Sequence, residues 1–534
     1  MSNRRKITVA DSETDPFKYG RIPEPFLWGF YDGETFEHFA TTAAFMEYLE
    51  RRDDEIICYV HNGGKFDFFF LAEYLEELEP LTVINGRLTK FRIGNVEFRD
   101  SFTILPVPLA EHDKGTIDYK WFESDRRAEH MPAIIDYLYR DCVSLYQFVM
   151  RYLDEFGLNL TLASGALTYW SKLTGIPKPE TSQDYYQTFA PFYYGGRVEC
   201  FQSGMIERPF TVADINSAYP YAMTYRHPWG TLFDDHSCKI PDDEETCKRS
   251  FIRLRARSYG AFPYRTEKGA LTFPNDGEVR EFFITGWEYI AALETASLWL
   301  MQVLQVYTFI ETVEFNSYVN HFYAQKALAK ESGDRAGYTL AKLHLTNLYG
   351  KFGANPAEYE EFKTCHPQFI TALHETEGYD FAEMFGPLAI LSRPISNERM
   401  RFYNVATAAS VTGFVRAYLW RSLCACDGLI YCDTDSIAAE NIGNQPIGAD
   451  LGEWEIETRC DRGAVGGKKL YAFHNAESGD WKVSSKGVRL SAAEICQIAQ
   501  GETITYKRDA PTFSIKSGAH FIARDVKMTD SAHS

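Results

Sequence analysis

The spacing of apolar residues changes along the chain, and the changes divide it into regions. KITVAD (6–11) and EIICYVHN (55–62) are short apolar runs of buried-strand type, and the second leads into a helix-like FDFFFLAEYLEELE. PAIIDYLYRDCVSLYQFVMRYLDEFG (132–157) carries apolar residues at helical spacing between a Pro start and a Gly stop. Together these predict an α/β domain of about 180 residues. From Tyr193 the texture becomes strand-rich, as in RPFTVADINSAYPYAM, while residues 320–353 predict two helices around the turn ESGD. Residues 356–400 are mixed in pattern, and the tail VKMTDSAHS predicts a loose end. GLIYCDTDSIAAE (428–440) predicts a hairpin with Asp433 and Asp435 at its turn.

A chain of 534 residues exceeds a single core and implies two to four domains. With 45% hydrophobic and 24% charged residues it is of ordinary globular type. Its 33 Tyr and 39 Phe suit both large cores and base-stacking surfaces, so they choose neither. The formal charge of −19 counts against a generic nucleic-acid binder, unless cations are gathered in a cleft and acidity is kept to outer faces. The 11 cysteines include no C-x2-C pair, the nearest spacing being Cys424 and Cys426, which predicts reduced thiols and no zinc cluster. The start MSNRRKITVADSETD lacks a signal-peptide core, and no apolar run is long enough to span a membrane. A cytoplasmic protein without a membrane partner is expected.

Candidate chemistry lies in two sets of carboxylates. Asp11 and Glu13 share one face of the first strand, Asp67 follows the second, and Tyr137 and Asp141 stand one helical turn apart. Converging on two cations, such groups could activate a water against a phosphodiester, with Tyr137 orienting it. The second set is Asp214 at a strand end, with Asp433 and Asp435. Two aspartates at one turn are either good turn formers or ligands of a divalent cation. With cations, the three suit in-line phosphoryl transfer, where positioning and charge neutralisation dominate. Lys330, Lys342 and Tyr349 would then offer ammonium groups and a ring to a triphosphate, and Lys351 reads as surface.

In order and combination these residues resemble family B DNA polymerases, specifically the protein-primed group of phages and linear plasmids. Asp11-x-Glu13, Asn62 to Phe66-Asp67 and Tyr137-x-x-x-Asp141 are similar to that family's exonuclease motifs. RDSFTILP (99–106) and Lys114-x-x-Ile117 are similar to its accessory exonuclease motifs, and Tyr193-Tyr-Gly195-Gly196 to its linker. DINSAYP (214–220), the stretch from Lys342 to Gly350 and YCDTDS (431–436) resemble polymerase motifs A, B and C. Thr412-x-x-x-Arg416 resembles the template-strand motif and Lys469-Leu-Tyr471 the K-x-Y motif.

The resemblance implies a fold, an activity and partners. The fold would be α/β and α+β multidomain, an RNase H-like 3′–5′ exonuclease followed by a right-hand polymerase with two insertions. Its divisions would be exonuclease 1–188, palm 189–225, first insertion 226–318, fingers 319–353, second insertion 354–405, palm 406–485 and thumb 486–534. The activity would be DNA-directed DNA synthesis with proofreading, primed by a terminal protein and displacing the non-template strand. Each active site would use two Mg2+ or Mn2+ ions.

By the same resemblance, Asp214, Asp433 and Asp435 hold the polymerase metals, and Asp11, Glu13, Asp67 and Asp141 those of the exonuclease, aided by Lys114. Tyr219 excludes a 2′-hydroxyl, Lys330 and Lys342 contact the triphosphate, and Tyr349 the nascent pair. Tyr59, His61, Asn62, Phe66, Phe70, Ser101 and Phe102 guide the frayed 3′ end. Lys469 and Tyr471 steady the primer; Thr412, Arg416 and the linker meet DNA. Partners are template-primer DNA, dNTPs and a terminal protein, the protein being a monomer or a heterodimer with the latter, in the host cytoplasm if phage-encoded. Thr346-Asn347-Leu348 departs from the usual motif B, and Phe102 stands where Leu is usual. Competing readings are a family B polymerase that starts from nucleic-acid ends or by itself, and a non-catalytic DNA-binding scaffold.

Overall fold

A computed structural model describes residues 5–108 and 117–529. Three parallel strands, Lys6–Thr14, Ile56–Val60 and Val96–Asp100, form the centre of a ten-stranded mixed sheet. All five residues of Ile56–Val60 are buried, as expected of a parallel strand covered on both faces. The helix Arg127–Phe156 crosses one face with Tyr137, Leu138, Asp141, Cys142 and Leu145 turned inward. It begins five residues before the Pro start read from the sequence, so Pro132 sits inside its second turn, and it ends at Gly157 as expected. Of the helix-like stretch, DFFFLAEY forms a tight 3₁₀ helix, Asp67–Tyr74.

Residues 356–400 resolve into strands Glu360–Cys365, Asp380–Phe385 and Leu388–Pro394 and a short helix, Ile370–Glu377. These strands extend the N-terminal sheet, Phe362 pairing with Leu81, and Phe362, Phe385, Leu388 and Ile390 join its core. The region expected as a second insertion is thus continuous with the first domain's sheet.

A second sheet, in spatial order, holds Trp481–Ser485, Leu470–Asn475, Trp454–Gly467, Phe210–Ile215, Ser436–Asn441, Asp427–Asp433 and Val198–Cys200. Behind it lies the helix Val405–Cys424, mostly small or apolar apart from Arg416 and Arg421 and buried almost all round. A four-stranded sheet, His227–Ser237, Ser250–Ser258, Val279–Thr285 and Leu298–Val313, stands between motif A and the two expected helices. Those helices are Asn316–Ser332 and Arg335–Phe352, turning at Gly333 and Asp334. At the C-terminus the hairpin strands Thr512–Ser514 and Gly518–His520 place Phe513 on the aromatic rings of Phe66, Phe69 and Phe70. The tail is held as far as Thr529, whose N–H donates to the Gly466 carbonyl at 2.9 Å.

Candidate active site

The N-terminal carboxylates converge. Asp11 and Glu13 extend from one side of the first strand and meet Asp141 of the long helix, their ligand oxygens lying within 4.8 Å of one another. Glu13 and Asp141 are buried. Tyr137, one turn before Asp141, is buried as well, its hydroxyl 3.3 Å from that of Tyr119. Asp67 falls outside this cluster. Ser12, facing the other way by strand alternation, donates to it at 2.5 Å, and burial pushes the Asp67 carboxyl up to about 7.

Around this centre the structure divides the expected strand-guiding residues. Phe66 and Phe70 are half-buried and meet edge-on at 5.1 Å. Asn62, at φ 61°, accepts from Arg87 at 2.9 Å, and the same guanidinium lies 4.5 Å over the Phe102 ring. Arg87 was not singled out in the sequence, where a lone arginine after an Asn-Gly turn gives no signal. Tyr59 and Ser101 are both buried. Tyr59 belongs to the core of a two-sided strand, and Ser101 is bonded to His61 Nδ1 at 3.0 Å. The other His61 nitrogen faces the Val107 carbonyl at 3.0 Å. Lys114 lies outside the described residues.

The second centre is built from three neighbouring strands. Asp214 pairs with Ser436 on one side and Glu455 on the other, and Asp433 closes its hairpin against Ser436. Burial pushes the Asp214 carboxyl up to about 8, with repulsion from Asp435 and then Glu457 adding to it. Burial raises Asp435 to about 6, followed by repulsion from Asp433. Asp433 instead accepts from Lys469 Nζ at 2.6 Å, so Lys469 serves a carboxylate here. Among the described residues, no second group of three brings its ligand atoms within 4.8 Å. Unneutralised carboxylates repel, and one of them already has an ammonium partner. Glu457, paired with Lys482, is a further acid that the sequence reading missed.

Strained backbone gathers at these motifs. Asn62, Ser217, Thr434 and Lys469 are non-glycine residues with φ of 61°, 55°, 60° and 58°. Ser217 turns the chain into the helix Ala218–Met223, whose first turn accepts Pro220 because its N–H would lack a partner there.

Tyr219 and Tyr349 stack at 4.4 Å and 8° beside the aspartates, joining motifs A and B. Lys330 and Lys342 are exposed. Lys326, one turn before Lys330, is half-buried, its ammonium disfavoured by burial and then by Lys342 and Lys330. Lys326 was missed although it stands at i−4 to Lys330. Lys351, read as surface, lies 5.1 Å over the Tyr403 ring. In motif B, Thr346 and Asn347 bond back to their own helix at Leu343, and Leu348 is core.

Thr412 and Arg416 are both 2% exposed. Arg416 donates to Glu288 at 2.7 Å and to the Tyr194 and Gly195 carbonyls at 2.7 and 3.0 Å. It therefore holds the linker. Tyr193 packs where a Cβ on Gly353 would come within 2.4 Å. Gly195 is exposed, and Gly196 lies against Thr434. Tyr471 stacks on Phe473 at 4.5 Å.

This fold and these motifs define a polymerase of the right-hand class, and the chain belongs to the type B DNA polymerases, organellar and viral. The model of that family matches residues 111–368. The DNA-directed DNA polymerase of Enterobacteria phage PRD1 is 34% identical over 559 residues, covering 98% of both chains. The DNA polymerase of Streptococcus phage Cp-1 is 23% identical, covering 79% of this chain and 78% of that one. In fold, Phi29 DNA polymerase complexed with primer-template DNA matches with a TM-score of 0.75 at 17% identity, covering 98% of this chain and 100% of that one. Among the described residues, no helix is long and apolar enough to cross a membrane.

Proposed function

We propose that the chain copies a linear phage or plasmid genome by extending a terminal-protein primer, displacing the non-template strand and proofreading with a separate 3′–5′ exonuclease. The observation that carries this reading is the presence of two carboxylate centres in one chain related along its length to the phage PRD1 enzyme. Template-primer DNA and dNTPs are the substrates, in the host cytoplasm. The divisions at 188, 225, 318, 353, 405 and 485 are retained as functional units.

The donors at both centres are hard carboxylate oxygens, and burial raises those of Asp214 and Asp435, a cost that a divalent cation would relieve. They fit Mg2+ or Mn2+, two per site, with Asp214, Asp433 and Asp435 as ligands in one and Asp11, Glu13 and Asp141 with nearby Asp67 in the other. Such ions, when bound, neutralise the triphosphate or phosphodiester and lower the pKa of the attacking oxygen. The chain's own residues do the rest. Lys326, Lys330 and Lys342 bind the triphosphate, the Tyr219–Tyr349 stack packs against sugar and base, and Tyr137 orients the water of proofreading. Phe66, Phe70 and Phe102 present rings to an unpaired 3′ end. Terminal-protein priming is supported by the four-stranded sheet after motif A, which leaves Trp299, Met301 and Ile310 exposed.

The test pairs Asp435→Ala with Asp11→Ala on a primed template. Asp435→Ala should abolish extension and keep 3′ degradation; Asp11→Ala should do the reverse. Loss of both in either variant would refute separate centres. Adding a terminal protein in place of the primer then tests priming, and extension from free ends alone would favour a polymerase that starts from nucleic acid.

A further inference from the structure

We propose that Arg197 is a positioning residue of the polymerase centre, holding the strained turn of Asp433 and Asp435 and tying it to the sheet expected as the first insertion. This rests on the polymerase reading above. Arg197 follows the Tyr-x-Gly-Gly linker and lies outside every motif named for the site.

The turn itself is unusual. The Asp435 N–H donates to the Asp433 carbonyl at 2.6 Å, two residues back, around Thr434 at φ 60°. That bond with positive φ is the pattern of the rare, strained γ-turn, and β-branched threonine is a poor residue for it. Such a conformation persists only where its surroundings hold it. Here the Thr434 N–H donates to the Arg197 carbonyl at 2.6 Å, and Val198 pairs with Asp433. Gly196 has no side chain where a Cβ would come within 2.6 Å of Thr434 Cγ2. The linker thus presses directly on the turn.

Arg416 holds the linker at Tyr194 and Gly195, and its last residue before the strand is fixed by the Arg197 side chain, 2% exposed. Its guanidinium lies between the rings of Phe273 and Trp420, at 4.3 and 4.5 Å. Nη1 donates to the Gly260 carbonyl at 2.7 Å, and Nε bonds Glu199. Gly260 and Phe273 lie within the region 226–318, and Trp420 is on the buried palm helix. An apolar residue could fill this slot with less desolvation, but it could not bond Gly260 and Glu199 together. A shift of this region therefore reaches the carboxylates through one side chain and one peptide. The guanidinium is enclosed by Glu199, Gly260, Phe273 and Trp420, which suits positioning rather than binding.

The experiment compares Arg197→Lys, Arg197→Met and Phe273→Leu with the wild type. The readouts are extension kinetics, 3′–5′ degradation of single-stranded DNA, and amide hydrogen exchange across residues 430–437. Arg197→Met should lower kcat by about tenfold to a hundredfold, the scale expected of a misplacement near 1 Å, with KM for dNTP little changed. Exchange at 430–437 should accelerate, and degradation should stay at the wild-type rate. Arg197→Lys should recover only part of kcat, and Phe273→Leu should give the same pattern more weakly from outside the linker. Unchanged exchange with unchanged kcat overturns the proposal. A rise in KM alone overturns it in favour of a nucleotide contact, and parallel loss of both activities in favour of a general folding role. If the wild type extends no primer, the polymerase reading fails by itself, and the exchange rates still decide whether Arg197 holds the turn.

Discussion

At the scale of the residue, burial decides which motif side chains face substrate and which serve the protein. In the proposed function, Lys326 is the first case. Its half-buried ammonium beside Lys330 and Lys342 is a concentration of charge suited to a triphosphate. Lys326→Ala should raise KM for dNTP severalfold and leave degradation of single-stranded DNA unchanged, as steady-state kinetics of both reactions would reveal. His344 shows the second. Its ring stacks between Phe156 at 3.7 Å and Phe322 at 5.0 Å, and neither ring nitrogen meets a partner among the described residues. Burial lowers its pKa to about 3, whereas an unfolded histidine titrates near 6.5. Between those values the unfolded chain binds a proton that the folded one refuses, so stability falls as pH drops below 6.5. Above 6.5 the ring is neutral in both states and contributes no pH dependence. His344→Phe keeps the stack and should remove about 2 kcal/mol of the loss at pH 5. Thermal midpoints at pH 7.5 and pH 5 check this; equal slopes in both proteins would contradict it.

At the scale of the element, the two helices at 316–352 and the motif C hairpin were legible because their partners are close in sequence. The long helix was legible in its body, where the apolar stripe is strong, and misread at its start because Pro132 suggested a first turn. Residues 356–400 were not legible. Their strands find a partner at Pro80–Ile84, far back in the chain, and local pattern carries no information about that pairing. Ile390 is fully buried in the resulting core. Ile390→Ala should therefore cost ~2–5 kcal/mol. The loss should appear first in the N-terminal domain, so degradation should fail at a lower temperature than extension. Activity assays across a temperature series test the order.

At the scale of the whole molecule, distant segments brace one another's sites. Phe513, 3% exposed, fills the back of the aromatic group at Phe66, with centroids 5.6 Å apart. Phe513→Ala should cost ~3–5 kcal/mol and lower degradation more than extension at moderate temperature. Comparing both rates on one preparation measures it. A contrasting case is the Arg151–Asp334 pair, at 2.8 Å between the long helix and the tip of the helix pair, with both side chains well exposed. Asp334 also caps the helix Arg335–Phe352, so Arg151→Ala is the cleaner variant, and it should cost under ~1 kcal/mol in thermal unfolding. The sequence by itself determined the class of protein and the order of the motifs, and it pointed to the carboxylates, because chemistry restricts residue type and spacing within a few positions. Only the tertiary structure decided that Asp67 reaches its strand through Ser12, that Tyr59, Ser101, Thr412 and Arg416 face inward, and that Lys326, Arg87, Glu457 and Arg197 stand at the sites. Those outcomes depend on which surfaces meet across tens or hundreds of residues, and burial, pairing and backbone strain exist only once they have met.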